Sequence, residues 1–296
     1  MTHFTRNQFT AVMEAMLGER RVGRPDQAIC EVSTIQNFEL GTPRVIGECK
    51  YRYGLAGAVD IALGVLCQAP VPAAVHHDLV PLASYAAGVR LVGLTIGAAN
   101  IAADEYAGGC LHVNDGTGQG QVKKILSHPA ALSGATCVFT LVDPLTTALD
   151  IALSLCAITR NPYNQAIIHP SPPTAQLVGV PVAAIVAGRY GWFQTRGPAA
   201  VLTQGTLYIY QQVRPSATID GAVAHAIQQI TMGSTAAAAC GNGTLLEDSA
   251  GAETVVRLAT AVADATYDIG SLQTIVGRVM RVEVDTDYSL IYLMLE

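Results

Sequence analysis

Cys110, His112 and Asp115 fall within one short stretch of this chain, and a thiol, an imidazole and a carboxylate so placed could serve as nucleophile, base and orienting group. Strand alternation would put Cys110 and His112 on one face. No helix amino end or oxyanion loop is visible near the thiol to activate it, so a core cysteine beside a rim histidine is the better reading. His76-His77-Asp78 carries ligand-type atoms. Adjacent residues point in different directions, however, and no further ligand follows at a zinc spacing, so the run reads as a solvent-exposed joint. Gly116-Thr117-Gly118-Gln119-Gly120 suggests a phosphate loop, but a dinucleotide fingerprint must open a helix and a P-loop needs a Lys-Ser/Thr pair. The strand-like Gln121-Val122-Lys123-Lys124-Ile125 that follows makes it a hairpin tip. The pairs Asp285/Asp287 and Glu247/Asp248 sit in apparent turns, where acidic residues are ordinary, although an Asp-rich turn could hold calcium at a subunit contact. The Asn242-Gly243-Thr244 sequon matters only in a secreted protein. The expectation is a non-enzymatic chain with no catalytic, cofactor-binding or metal site.

Composition points the same way. Of 296 residues, 14% are Asp, Glu, Lys or Arg, against about 25% in an average globular protein. Only three are lysines, Lys50, Lys123 and Lys124. A surface this poor in charge predicts that other subunits cover much of it. A net charge of −6 argues against a surface built for phosphate backbones, so nucleic acid is not an expected partner. Arg20, Arg21 and Arg24 read as a solvated arm. Apolar runs end well short of the ~20 residues that cross a membrane as a helix, so a soluble protein without a membrane partner is expected. Seven cysteines form no CxxC pair, and most lie in apolar runs, which predicts buried reduced thiols. The opening residues lack the basic-then-apolar order of a signal peptide, and a reducing cytoplasm fits both observations.

The elements that would position these residues are short strands. Residues 179–205 are representative, with a β-branched run at 182–186, a turn bracketed by Gly188 and Gly191, then Tyr190, Trp192 and Gln194 alternating as in a half-buried strand. Gly197-Pro198 is expected to break that strand before another at 199–202. Further strands are expected at 44–46, 48–53, 61–67, 89–96, 110–113, 121–127, 136–141 and 151–158. A closing hairpin at 276–284 and 288–295 turns at Asp285-Thr286-Asp287. Phe9, Val12, Met13, Met16 and Leu17 have helical spacing, so residues 5–17 form the clearest helix candidate. Residues 222–230 and 254–265 are weaker ones. The pattern is all-β: two sandwich or barrel modules, one inserted in the other, with a short amino-terminal helix or arm. Residues 1–37 form the arm, 38–78 plus 169–296 the discontinuous module, and 82–166 the inserted one, flanked by prolines at entry and exit.

Four stretches resemble structural proteins of tailed-bacteriophage heads, most closely capsid decoration or cement proteins: FELGTPRVIGECKYRYGLAG (38–57), EYAGGCLHVNDGTGQGQVKKILSHPA (105–130), GRYGWFQTRGPAAVLTQGTL (188–207) and IVGRVMRVEVDTDYSLIYLMLE (275–296). The resemblance implies a virion protein, assembled in the host cytoplasm, that clamps neighbouring major capsid protein subunits from outside, often as a homotrimer. Alternatives are the major capsid protein itself, which the resemblance would equip with a long spine helix, or a tail or fibre β-module. An enzyme, either a Cys/His hydrolase at Cys110 and His112 or a carbohydrate-active protein with Trp192 as sugar platform, is the remote one. Tyr190, Trp192, Phe193 and Tyr210 are the candidate intersubunit contacts, with Trp192 favoured as core and Phe193, on the opposite strand face, as the residue to test at an interface.

Overall fold

A computed structural model describes residues 27–226, 244–247, 253–256 and 274–296. The helix expected at 5–17 lies outside them. The described residues up to 225 form one compact unit with 275–296, and those within 226–274 belong to a second. Of the second, only the antiparallel pair Thr244–Glu247 and Glu253–Val256 is described.

In chain order the strands are β1 (Pro43–Ile46), β2 (Cys49–Leu55), β3 (Cys67–Gln68), β4 (Leu91–Thr95), β5 (Cys110–Asp115), β6 (Val122–Ser127), β7 (Thr136–Leu141) and β8 (Leu155–Thr159). There follow β9 (Ile167–Ile168), β10 (Leu177–Pro181), β11 (Tyr190–Gln204), β12 (Gln212–Pro215) and β13 (Val223–His225). The pair in the second unit is β14 and β15, and β16 (Gly277–Arg281) and β17 (Tyr288–Met294) complete the set. The protein is all-β: among the described residues the only helical turn is a 3-10 turn at Ala74–His76.

Two sheets organise the first unit. Strands β4 to β8 pair only with one another, in the order β4-β7-β6-β5-β8. Residues 79–82 bridge the two outer strands, Leu79 pairing with Cys156 and Pro81 with Leu94, and so close the sheet into a barrel. The alternation expected for 136–141 appears as Cys137, Phe139 and Leu141 pointing inward with Thr136 and Val138 outside. Phe139, Leu111, Ile125, Val92 and Leu94 fill the interior, each contributing roughly 1.5–3 kcal/mol of burial. The remaining ten strands form the larger sheet, in which β11, β13, β12, β16 and β17 close on themselves because β13 pairs with both β12 and β11. Val201, Val213, Ile291 and Leu293 lie inside that ring.

Several boundaries differ from the sequence reading. Gly197-Pro198 does not end a strand: β11 runs fifteen residues through it. Gly197, at φ +92, takes the bend where β11 passes from pairing with β2 to pairing with β17, and Pro198 sits opposite Tyr292. Residues 61–67 and 182–186 are not strands beyond β3. They are loops stitched by one bridge, Ile61 to Ile185. Gly64, at φ +76, turns the first of these under the ring of Tyr288. Of the described parts of the two weaker helix candidates, 222–226 and 254–256, residues 223–225 and 254–256 lie in strands and none is helical.

Candidate functional site

Tyr190, Trp192 and Phe193 all come from the start of β11, yet alternation sends them to two different interiors. Trp192 is 2% exposed. Phe38 and Tyr53 pack against its ring at centroid distances of 5.3 and 5.1 Å, and the Arg44 guanidinium lies over it at 5.7 Å. The expectation that Trp192 is core therefore agrees with its position. Phe193 points to the other face, but that face is also covered: at 0% exposure it packs with Ile61, Ala166, Val178 and Ile185, and presents no surface to a neighbour. Alternation predicts a half-buried strand here, whereas this part of β11 is buried on both sides. Tyr190 is half-buried and stacks parallel to Tyr53 at 6.0 Å.

Residues 27–38 cover this cluster through one buried side chain. The Gln27 amide donates to the Tyr190 and Glu31 carbonyls, and its oxygen accepts from the Tyr53 hydroxyl at 2.8 Å and from the Asn37 amide at 3.0 Å. Ser33 adds an antiparallel bridge to Tyr190.

Tyr210 is the one candidate contact fully in the open, at 73% exposure. It occupies a turn at φ +72, a conformation rare for an aromatic residue. Arg278 braces it, with the guanidinium 5.1 Å from the ring centre and a 3.0 Å hydrogen bond to the hydroxyl. Tyr208 and Ile209 beside it are also exposed, at 61% and 68%.

The residues suspected of chemistry are scattered. Cys110 and His112 share the outer face of β5, as alternation requires, with no hydrogen bond joining them. Asp115 lies past a register shift and turns its carboxylate to the Gly116 N–H at 2.8 Å. Residues 116–120 form the tip of the β5–β6 hairpin, where Gly116, Gly118 and Gly120 all have positive φ. Asp285 accepts from the Gly205 N–H at 2.6 Å, and the β16–β17 turn places Thr286 at φ +68. Glu247 ends β14, and Asp248 lies outside the described residues. Among the described residues no three His, Cys, Asp or Glu side chains gather where they could share a metal ion.

One polar cluster had no signal in the sequence beyond scattered His, Tyr and Arg. The joint at His76-His77-Asp78 is only partly exposed: His77 and Asp78 are open, but His76 is 2% exposed, because the 3-10 turn carries it into the end of the barrel. Its Nε2 faces the Ala99 carbonyl, which can only accept, so Nδ1 takes the Tyr106 O–H at 2.5 Å. Burial lowers the His76 pKa, the Ala99 carbonyl opposes that, and the Arg160 guanidinium adds to it. Burial likewise pushes Tyr106 up to about 12. Arg160 lies over the Tyr106 ring and pairs with Glu105. His128 accepts the Tyr106 backbone N–H on Nε2 and donates from Nδ1 to the Pro129 carbonyl, both at 2.9 Å. Every member is bonded inward, the pattern of a structural network.

A cleft of about 630 Å³ opens between the two sheets. Tyr190, Leu55 and Leu40 line one side, Asp104, Lys124 and Leu126 the other, and Asn161 with Asn164 lie between. A second, smaller hollow of about 90 Å³ lies among Pro70, Pro72, Tyr106 and Arg160.

Comparison with known proteins adds no constraint: no protein-family model, no curated protein and no solved structure matches this chain.

Proposed function

We propose that this chain is a non-enzymatic structural subunit of a larger assembly, and specifically a decoration protein that binds the outside of a tailed-phage head. The observation that carries the reading is a charge-poor exterior bearing large apolar side chains in the open: Tyr208, Ile209 and Tyr210 on one loop, Leu132 at a barrel turn and Val284 before the closing turn. An isolated chain gains nothing by exposing them, whereas a subunit flanked by neighbours buries them. Each contact is weak, and repetition over many copies makes the whole durable. The chemically suggestive residues, dispersed or bonded inward, favour a structural role over the enzyme alternative.

The strand pairing favours nested modules, because β4 to β8 are consecutive in sequence and pair only among themselves, while β1 to β3 and β9 to β13 on either side join one sheet. The major capsid protein, the nearest alternative, would carry a long spine helix, and the described residues contain no α-helix.

Two measurements test the proposal. Electron microscopy of purified particles should place the chain on the outer face of the shell, and its absence from the shell ends the reading. The mass of the purified chain in solution should correspond to a trimer; a hexamer would favour a tail tube instead.

A further inference from the structure

We propose that the cleft between the two sheets is a binding site for a neutral oligosaccharide. Its volume, about 630 Å³, lies within the ~300–1,000 Å³ of small-ligand sites. Three features of its lining select the ligand chemistry.

The first is charge. Among the described lining residues the one cation, Lys124, is paired with the Glu39 carboxylate. The remaining charge is the Asp104 carboxylate, so a phosphate or another anion would meet repulsion rather than a partner.

The second is hydrogen-bonding capacity. The Asn161 amide nitrogen donates to the Leu40 and Gly108 carbonyls, and its oxygen accepts the Tyr163 N–H, so it holds the two sheets together and has little left to offer. Asn164 donates to the Glu105 carbonyl, and one Asp104 oxygen accepts the His128 N–H. The second Asp104 oxygen and the Asn164 carbonyl oxygen have no partner among the described residues, and neither does the Tyr190 hydroxyl. Asp104 is held at φ 58, a conformation aspartate tolerates in turns, by that bond to His128. The free groups are therefore mainly acceptors on fixed backbone, which suits a ligand that brings hydroxyl donors.

The third is the apolar part. Leu40, Leu55, Leu126 and Val142 alternate with the polar groups, and Tyr190 adds a ring already anchored on Tyr53. A pyranose has such a surface, with C–H faces flanked by hydroxyls. An aliphatic ligand would leave the acceptors unpaired, at about 1–3 kcal/mol each.

The test is NMR titration of the isolated chain with maltotriose, cellotriose, chitotriose and lactose, with inorganic phosphate as the charged control. At least one sugar should give saturable shifts on the cleft residues, with a Kd on the order of 1 mM or tighter. Leu126 is 59% exposed, so Leu126→Trp fills the cleft from its rim without entering the core. It should weaken binding at least tenfold, and Asp104→Asn should do so with the thermal midpoint unchanged. If Asp104→Asn lowers that midpoint, Leu126→Trp alone decides. The proposal is overturned if none of the four sugars shifts the cleft resonances at tens of millimolar, if Leu126→Trp binds as the parent does, or if phosphate binds equally well. The assay uses no assembly, so its outcome is independent of the role proposed above.

Discussion

Gly54 lies directly beneath the ring of Phe193: a Cβ at position 54 would stand 2.7 Å from Phe193 Cε2 and 2.9 Å from Cδ2. The two residues belong to paired strands, with Gly54 opposite Gly191 and Phe193 opposite Arg52. The missing side chain thus makes room for the largest fully buried residue of the core that packs under β11. Gly54→Ala should destabilise the protein by about 1–3 kcal/mol, because the ring has packed neighbours and nowhere to move. Urea unfolding measures this, and adding Phe193→Leu should recover part of the loss. Additive losses in the double variant would show that the two positions do not compete for one space.

The lone tryptophan reports on the opposite face of β11. Its indole Nε1 is buried without a partner, so Trp192→Phe removes volume but breaks no hydrogen bond. A loss of roughly 1–3 kcal/mol follows from packing alone. The native fluorescence should be that of a buried indole, resistant to acrylamide. Ready quenching would mean that residues 27–38 do not cover the ring in solution.

Acid should weaken the barrel through His76. Its pKa in the fold lies below the ordinary 6.5, so between the two values the unfolded chain binds a proton that the native chain refuses. Stability is then fully present above about 6.5 and declines as pH falls toward the lowered pKa. Denaturation midpoints between pH 8 and 5.5 should show this slope, and His76→Gln, which can still accept the Tyr106 hydroxyl, should flatten it. An unchanged slope in the variant would assign the effect to another group.

Thiol reactivity should sort by position. Cys30 is exposed, whereas Cys67, Cys137 and Cys156 are buried, with burial pushing Cys137 and Cys156 up to about 11. A charged thiol reagent followed by peptide mapping should label Cys30 ahead of Cys67, Cys137 and Cys156, and leave those three untouched until the protein unfolds. Early labelling of Cys137 or Cys156 would contradict the closed barrel.

Replacing Tyr208, Ile209 and Tyr210 together with serine should leave the unfolding midpoint nearly unchanged, since all three are more than 60% exposed. The same variant should lose most of its association with shells or with other copies in co-sedimentation. Undiminished association would move the contact to another face.

The β5–β6 and β16–β17 hairpins were legible because their turns carry the chemistry that turns need: glycines at 116, 118 and 120, and Asp-Thr-Asp at 285–287. The break expected at Gly197-Pro198 failed for a reason no local pattern contains. Whether a glycine ends a strand or bends it depends on a second partner strand waiting beyond, here β17, which lies far along the chain.

The sequence by itself determined the all-β class, the placement of most barrel strands and the charge-poor surface, because alternation, turn residues and composition are local properties. Only the tertiary structure decided which face of a strand meets water. Trp192 and Phe193 are adjacent and look interchangeable as contact residues, yet both are buried, since residues 27–38 cover one face and the 61–69 loop with the 166–185 segment covers the other. Tyr210, with the same aromatic character, is left in the open by a turn braced on Arg278. Burial is set by what arrives from distant parts of the chain, and a strand's own residues do not encode that.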